Sequence, residues 1–248
     1  MKDVPEILLV DKPKGITSFG VVYTIRKKLS VEDVGSTGKS SVKEDKNKKR
    51  LKVGHAGTLD PLATGLMIIG AGKGTKRLQD YIKLDKEYIA EIRLGEQRST
   101  GDLEGDIVAA KEVTIKDVSQ KKIESAVAYL IGTHQLPVSA YSAIKKDGKP
   151  MYKRAREAEK KGEVITDVPM RDMTIYEVEV LDMKDIIVDS KKRVVVTVRF
   201  KVASGVYIRS LAEELGRKLG CPATLQNLRR TKVGEFSIED AQPLSDFE

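Results

Sequence analysis

Asp60 is the residue around which a chemistry can be built. It lies in His55-Ala56-Gly57-Thr58-Leu59-Asp60-Pro61-Leu62-Ala63-Thr64-Gly65, a stretch rich in Gly, Thr and Pro. Apolar runs flank it, Leu51-Lys52-Val53 before and Leu66-Met67-Ile68-Ile69 after. A carboxylate fixed on a tight loop between buried elements suits covalent or acid/base catalysis. An Asp-Pro pair is also a good turn former, and the local sequence alone leaves both readings open.

Other chemistries lack their residues. The two histidines, His55 and His134, and the one cysteine, Cys221, do not stand at metal-ligand spacing, so no metal is expected. No nucleophile-elbow motif accompanies either histidine. Gly35-Ser36-Thr37-Gly38-Lys39-Ser40 looks like half of a phosphate loop, but Asp33 occupies the position where that loop needs its first glycine. Gly70-Ala71-Gly72-Lys73-Gly74-Thr75-Lys76 has the wrong spacing too. No cofactor is expected. Chemistry must then rest on carboxylate, arginine and tyrosine side chains.

The elements that would position them are strands alternating with helices. Ile7-Leu8-Leu9-Val10 reads as a strand ending in the turn cluster Asp11-Lys12-Pro13-Lys14-Gly15. Ser18 is the expected cap of a helix running through Val21, Val22 and Ile25 to about Leu29. From Ser30 to Arg50 the composition turns polar and basic, which predicts a surface loop. A strand is expected over Lys86–Arg93, and a helix from about Lys116 to Ile131. Met170–Val180 should be a strand with Tyr176, Val178 and Val180 on one face. Arg193–Phe200 alternates most cleanly, with Val194, Val196, Val198 and Phe200 on one side. Ile208, Leu211, Ala212, Leu215 and Leu219 fall at helical spacing before an expected cap at Gly220. Leu225–Val233 returns to an extended segment. The fold class is α/β or α+β with a mixed sheet.

Composition sets the surroundings. The 248 residues, 40% hydrophobic and 33% charged, suit a globular chain able to bury a sizeable core. No apolar run approaches the roughly 20 residues that span a bilayer, and the N-terminus does not read as a signal peptide. No membrane is therefore expected, and since one cysteine cannot form an internal disulfide, a reducing cytoplasm is the expected compartment. The net charge of +8 favours an anionic partner. With no Trp, four Phe and eight Tyr, a broad stacking platform is disfavoured, whereas a pocket for one flipped base is not.

The whole string around Asp60 closely resembles the catalytic motif of the TruB family of tRNA pseudouridine synthases. The resemblance continues in family order. Lys86-Glu87-Tyr88 is similar to a Lys-x-Tyr motif, and Thr100-Gly101-Asp102-Leu103-Glu104-Gly105 to the next signature. Tyr141-Ser142-Ala143-Ile144-Lys145 through Gly148-Lys149-Pro150 to Tyr152 and Ala155-Arg156 resembles the RNA-clamping thumb, here about residues 136–165. One extra residue stands before it, with Val138-Ser139-Ala140 where a Pro-containing pair is common. Gly205-Val206-Tyr207-Ile208-Arg209-Ser210-Leu211 looks like the arginine motif, and Ala223-Thr224-Leu225-Gln226-Asn227-Leu228-Arg229-Arg230 like the last one.

The resemblance implies a pseudouridine-synthase fold, a curved, mostly antiparallel mixed sheet in a single catalytic domain. It implies conversion of uridine to pseudouridine in the T loop of tRNA (position 55 in tRNA numbering), by a monomer that binds the T-arm. Asp60, Tyr88 and Arg209 become the expected catalytic residues. His55, Gly57, Thr58, Leu59, Tyr141, Lys145, Tyr152, Tyr207 and Leu225 become the expected substrate contacts. Asp60 would be the nucleophile or the base that opens a glycal route, Arg209 the counter-charge that keeps it ionised, and Tyr88 the ring on the flipped base. The chain ends at Glu248, too soon for the C-terminal RNA-binding domain of PUA type that many members carry. Lys46, Lys48, Lys49 and Arg50 of the basic loop are candidates to compensate. Binding without catalysis, as a tRNA-folding chaperone, and action on another RNA are the alternatives.

Overall fold

The apolar run after Asp60 sets the architecture, because Leu66, Met67, Ile68 and Ile69 are all fully buried. A strand covered on both faces reads as a continuous apolar run and not as an alternation. The computed structural model describes residues 5–32, 51–142, 144–161, 163, 165 and 167–248. In chain order its first elements are β1 (Ile7–Lys12), α1 (Ser18–Glu32), β2 (Val53–His55), β3 (Thr64–Ala71), α2 (Leu78–Ile82) and β4 (Lys86–Leu94). There follow β5 (Glu96–Arg98), β6 (Ile107–Ala110), α3 (Gln120–Ala128), β7 (Gly132–Pro137), β8 (Lys145–Lys146), β9 (Lys149–Pro150) and α4 (Met151–Glu159). The last are β10 (Met170–Val188), β11 (Lys191–Val202), α5 (Ile208–Leu219), β12 (Ala223–Val233), β13 (Phe236–Ser237) and β14 (Gln242–Pro243). This is a mixed α/β chain.

Two compact units divide it. One holds the described residues up to Lys86 together with Arg229–Glu248, the other Glu87–Leu228. In the first unit β3 pairs antiparallel with β1, from Ile7↔Gly70 to Lys12↔Gly65, and with β2. It pairs in parallel with the end of β12, at Arg229↔Thr64 and Arg230↔Gly65, while β14 lies parallel to β1. Helix α1 buries Val21, Val22, Ile25 and Leu29, the expected stripe. Ala56, Leu66, Ile68, Leu78, Tyr81 and Val233 form a core cluster, with Tyr81 edge-on to Phe236 at 5.5 Å.

In the second unit the long hairpin β10–β11 runs antiparallel and β7 pairs along the start of β10. Helix α5 buries Ile208, Leu211, Ala212, Leu215 and Leu219, and Gly220 closes it in the left-handed conformation, as its spacing predicts. Three element expectations change. Helix α3 is shorter than Lys116–Ile131, starting where the Ser119 hydroxyl accepts from the Lys122 amide at 3.3 Å. Strand β10 runs on to Val188, and register shifts at Ile175/Glu177 and Val180/Asp182 break its alternation. Its buried residues are Met173 and Ile175, whereas Tyr176 is exposed. On β11 Val195 is buried along with Val194 and Val196, so that strand has no free face there. Of the Ser30–Arg50 loop, Ser30 to Glu32 belong to α1, and residues 33–50, with Lys46, Lys48, Lys49 and Arg50, lie outside the described residues.

Candidate active site

In the first unit the site is a loop, residues 56–63, between β2 and β3. Its main chain is tied down on every side. Ser18 Oγ accepts from the Leu59 amide and donates to the Leu59 carbonyl, both at 2.8 Å. The Gly15 amide donates to the Pro61 carbonyl at 2.8 Å. The Lys12 ammonium, fully buried, donates to the carbonyls of Ala63 at 2.5 Å and Pro13 at 2.9 Å. The Ala63 amide returns to the Asp60 carbonyl at 3.0 Å and closes the turn. Asp60 is thereby held, half-buried, between two anchored neighbours, Leu59 and Pro61.

Ser18 departs from expectation. The cap of α1 is Thr17, whose hydroxyl accepts from the Gly20 amide at 3.0 Å. Ser18 is already helical and uses its hydroxyl on the Asp60 loop instead.

Arg230 anchors the other end. Its Nε donates to the Leu66 carbonyl at 2.8 Å and Nη2 to the Gly57 carbonyl at 3.2 Å, with 1% of the residue exposed. Gly65 explains how it gets so close. Its φ is +105°, and a Cβ there would stand 2.3 Å from the Arg230 carbonyl oxygen, so only glycine fits. Burial, then the charge of Arg230, lowers the pKa of His55 below the usual histidine value, so His55 is neutral at pH 7. Lys86, also buried and also facing Arg230, is lowered to about 8 while its ammonium donates to the Ile82 carbonyl at 2.6 Å. Thr58 is exposed, Gly57 half-buried and Leu59 buried. The first unit therefore brings Gly57, Thr58, Leu59 and Asp60 onto one anchored loop, with His55 at the end of β2 just before it, among the buried cations Lys12 and Arg230.

The second unit gathers a different set around Arg209, which is 7% exposed in the first turn of α5. Its Nη1 donates to the Thr100 carbonyl at 2.9 Å and to Ser139 Oγ at 3.3 Å, and lies 3.5 Å from Asp102 Oδ2. Asp102 is itself buried. Its Oδ1 accepts from Thr100 Oγ1 at 2.6 Å and from the Glu104 amide at 3.1 Å. Leu225, 1% exposed, donates its amide to the Gly101 carbonyl at 3.0 Å, fixing the Thr100–Gly105 turn against β12. Tyr207 is half-buried just ahead of α5 and accepts the Leu211 amide at 3.2 Å. Tyr88 is 8% exposed on β4.

The thumb segment is also in this unit. Lys145 is exposed on the short hairpin β8–β9, which runs directly into α4. The Tyr152 amide donates to the Ser142 carbonyl at 2.9 Å, and Arg156 covers the Tyr152 ring at 5.8 Å. Tyr141 donates its amide to Ser139 Oγ at 3.2 Å, and burial together with Glu159 raises its phenol above the ordinary value. Ser139 thus touches both Arg209 and Tyr141.

Sequence reading missed Lys12, Ser18 and Arg230 around the Asp60 loop of the first unit, and Asp102 and Ser139 around Arg209 in the second. Asp102 lay within a quoted motif, but a Thr-Gly-Asp run reads as a turn. The partners of the others lie dozens of residues away, where no local signal reaches.

The chain is similar to known proteins over nearly its whole length. Residues 43–208 match the family described as TruB family pseudouridylate synthase (N terminal domain), and residues 209–248 match the tRNA pseudouridylate synthase B C-terminal domain. A curated relative from Desulfotalea psychrophila, tRNA pseudouridine synthase B, is 41% identical over 237 residues, covering 95% of this chain and 84% of the relative. The protein of that name from Corynebacterium efficiens is 38% identical over 242 residues, covering 98% and 71%. Among solved structures, a Cbf5-Nop10-Gar1 complex contains a chain that superposes with a TM-score of 0.62 at 26% identity. That match covers 97% of this chain and 52% of the other, so this chain spans about half the length of its structural neighbour. An H/ACA RNP bound to a substrate RNA shares the fold, with a TM-score of 0.62 at 24% identity. Among the described residues, no helix is long and apolar enough to cross a membrane.

Proposed function

The chain belongs to the TruB family of pseudouridylate synthases, and on that premise we propose that it isomerises uridine to pseudouridine in the T loop of tRNA, with Asp60 as the reacting carboxylate. The carrying observation is the loop itself, a half-buried carboxylate whose two neighbours are hydrogen-bonded to Ser18 and Gly15 and which stands in the family's catalytic string.

The reaction breaks the bond between ribose C1′ and base N1 and forms one between C1′ and C5. C5 gives up its proton and N1 ends protonated, so the product is an isomer and neither oxidant nor energy source enters. A target base stacked in an RNA loop must be flipped out first. Asp60 then attacks C1′, or removes a ribose proton to open a glycal route. Arg209 supplies the opposing charge, and Asp102, Thr100 and Ser139 hold its guanidinium in place. Tyr88 stacks on the free base and stands to accept the C5 proton. His55, neutral, donates or accepts a hydrogen bond without adding charge. Gly57, Thr58, Leu59, Tyr207 and Leu225 line the approach, and Tyr141, Lys145 and Tyr152 of the thumb grip the T-arm.

The test is an unmodified tRNA transcript tritiated at uridine C5, incubated with the protein and with its Asp60→Asn variant. Tritium release by the native protein only, with pseudouridine mapped to the T loop, is the expected result. Equal tRNA binding without release by either protein would overturn the enzymatic reading.

A further inference from the structure

Two aromatic rings stand in water where the fold gives them nothing to do. Phe19 is 66% exposed and Tyr23 is 60% exposed, although the other face of the same helix is packed to 7% exposure or less at Val21, Val22, Ile25 and Leu29. They are four residues apart, and Lys27, also exposed, is four further on. On a helix these three share one face, each about 6 Å beyond the last. No acidic residue occurs from Ser18 to Ser30. The neighbouring cations are otherwise engaged, Arg26 with the Val53 carbonyl at 3.3 Å and Lys28 with the Glu248 carbonyl at 3.2 Å. Lys27 is the cation that completes the strip.

Its position ties it to the Asp60 loop. The segment leading into α1 is hydrogen-bonded to that loop on both sides of Asp60, through Gly15 to Pro61 and through Ser18 to Leu59. Phe19 is the next residue in the chain. An RNA strand that reaches Asp60 across this edge of the loop would meet Phe19 first.

We propose that the α1 face formed by Phe19, Tyr23 and Lys27 is a docking strip for unpaired nucleotides of the substrate tRNA. This rests on the tRNA reading above. The rings stack on bases next to the flipped uridine, and the ammonium meets the following phosphate. Aromatic stacking tolerates any base, because every base has a π face. A double-stranded stem offers no exposed base to stack on, so the chemistry of the strip fits loop nucleotides. The strip adds affinity and register while leaving the chemical step alone.

Binding of a labelled unmodified tRNA transcript, measured by anisotropy at two salt concentrations, tests this alongside single-turnover tritium release. Phe19→Ala with Tyr23→Ala should weaken Kd roughly thirtyfold or more, while the release rate at saturating protein stays near native. Lys27→Ala should lower the salt slope by about one. The chain has no tryptophan, so Tyr23→Trp introduces a single reporter whose emission should be quenched by a stacked base. If the double variant fails to fold, that reporter decides alone.

An unchanged Kd in a folded double variant, or unchanged Trp emission on saturation with tRNA, overturns the proposal. So does a change of oligomeric state with Kd intact, which would assign the strip to a second copy of the chain. Failure of the enzymatic reading looks different, since the native protein would then bind tRNA without releasing tritium.

Discussion

Replacing Asp102 by Asn should damage both the fold of the second unit and the chemical step. Asp102 and Arg209 are 3.5 Å apart, with 4% and 7% of their side chains exposed. At that distance and an effective dielectric of about 20, their attraction is about 5 kcal/mol. Desolvation of both ions offsets part of this. Removing one partner nevertheless costs about 3–5 kcal/mol, because the other charge stays buried and unmatched. The Asn side chain keeps the acceptor used by Thr100 and the Glu104 amide, so the lower end, about 3 kcal/mol, is the expected loss in urea unfolding. For a chain of this length that corresponds to a fall in Tm of roughly 6–12 °C. The Thr100 carbonyl and Ser139 still hold Arg209, but with the Asp102 charge gone its guanidinium is fixed less tightly. Single-turnover tritium release should then drop on the order of a hundredfold, with tRNA affinity little changed. Arg209→Met, combined with Asp102→Asn, should cost less than the sum of the two by about 2 kcal/mol. Additive losses in that cycle, or an Asp102→Asn protein with native unfolding and native turnover, would refute the coupling.

Ser18→Ala deletes both hydrogen bonds to Leu59 and should cost about 2 kcal/mol in denaturant unfolding. It should also slow turnover, and a loop that works at native rate without Ser18 would contradict the anchoring role. Gly65→Ala drives a Cβ to 2.3 Å from the Arg230 carbonyl at a φ of +105°, so a loss of more than about 3 kcal/mol is expected; a soluble variant with near-native Tm would show that β3 and β12 are not this close. His55 has its pKa lowered on folding, by burial first and Arg230 second. The native state therefore binds fewer protons than the unfolded chain, and the contribution present above pH 6.5 is lost as pH falls below it. His55→Gln should flatten the decline of Tm between pH 7.5 and 5, and parallel native and variant profiles would disprove the assignment.

What was legible in the sequence had local causes. The run Leu66–Ile69 marked a buried element beside Asp60, though not which kind, and the spacing from Ile208 to Leu219 with Gly220 after it marked a capped helix. The far half of β10 was hidden for a physical reason. Its two register shifts move the exposed side from one parity to the other, and its hairpin turns at Asp189 and Ser190, both at positive φ, without a glycine. Ser18 shows the same limit at the site. A hydroxyl at a helix start serves as a cap or as a long-range bond equally well, and here the partner is 41 residues away.

The Asp60 loop is built so that its chemistry and its conformation are separable. Ser18, Gly15, Lys12 and Arg230 all meet it at main-chain amides and carbonyls of Gly57, Leu59, Pro61 and Ala63. None of these anchors depends on what side chain stands at position 60. An Asp60→Asn protein should accordingly keep the native loop and native tRNA affinity while losing turnover. That separation is what allows the tritium assay to report on the carboxylate and not on folding. If Asp60→Asn instead loosens the loop, seen as lowered Tm or faster amide exchange at Leu59 and Ala63, then the side chain is itself an anchor and the division between scaffold and reactive group fails.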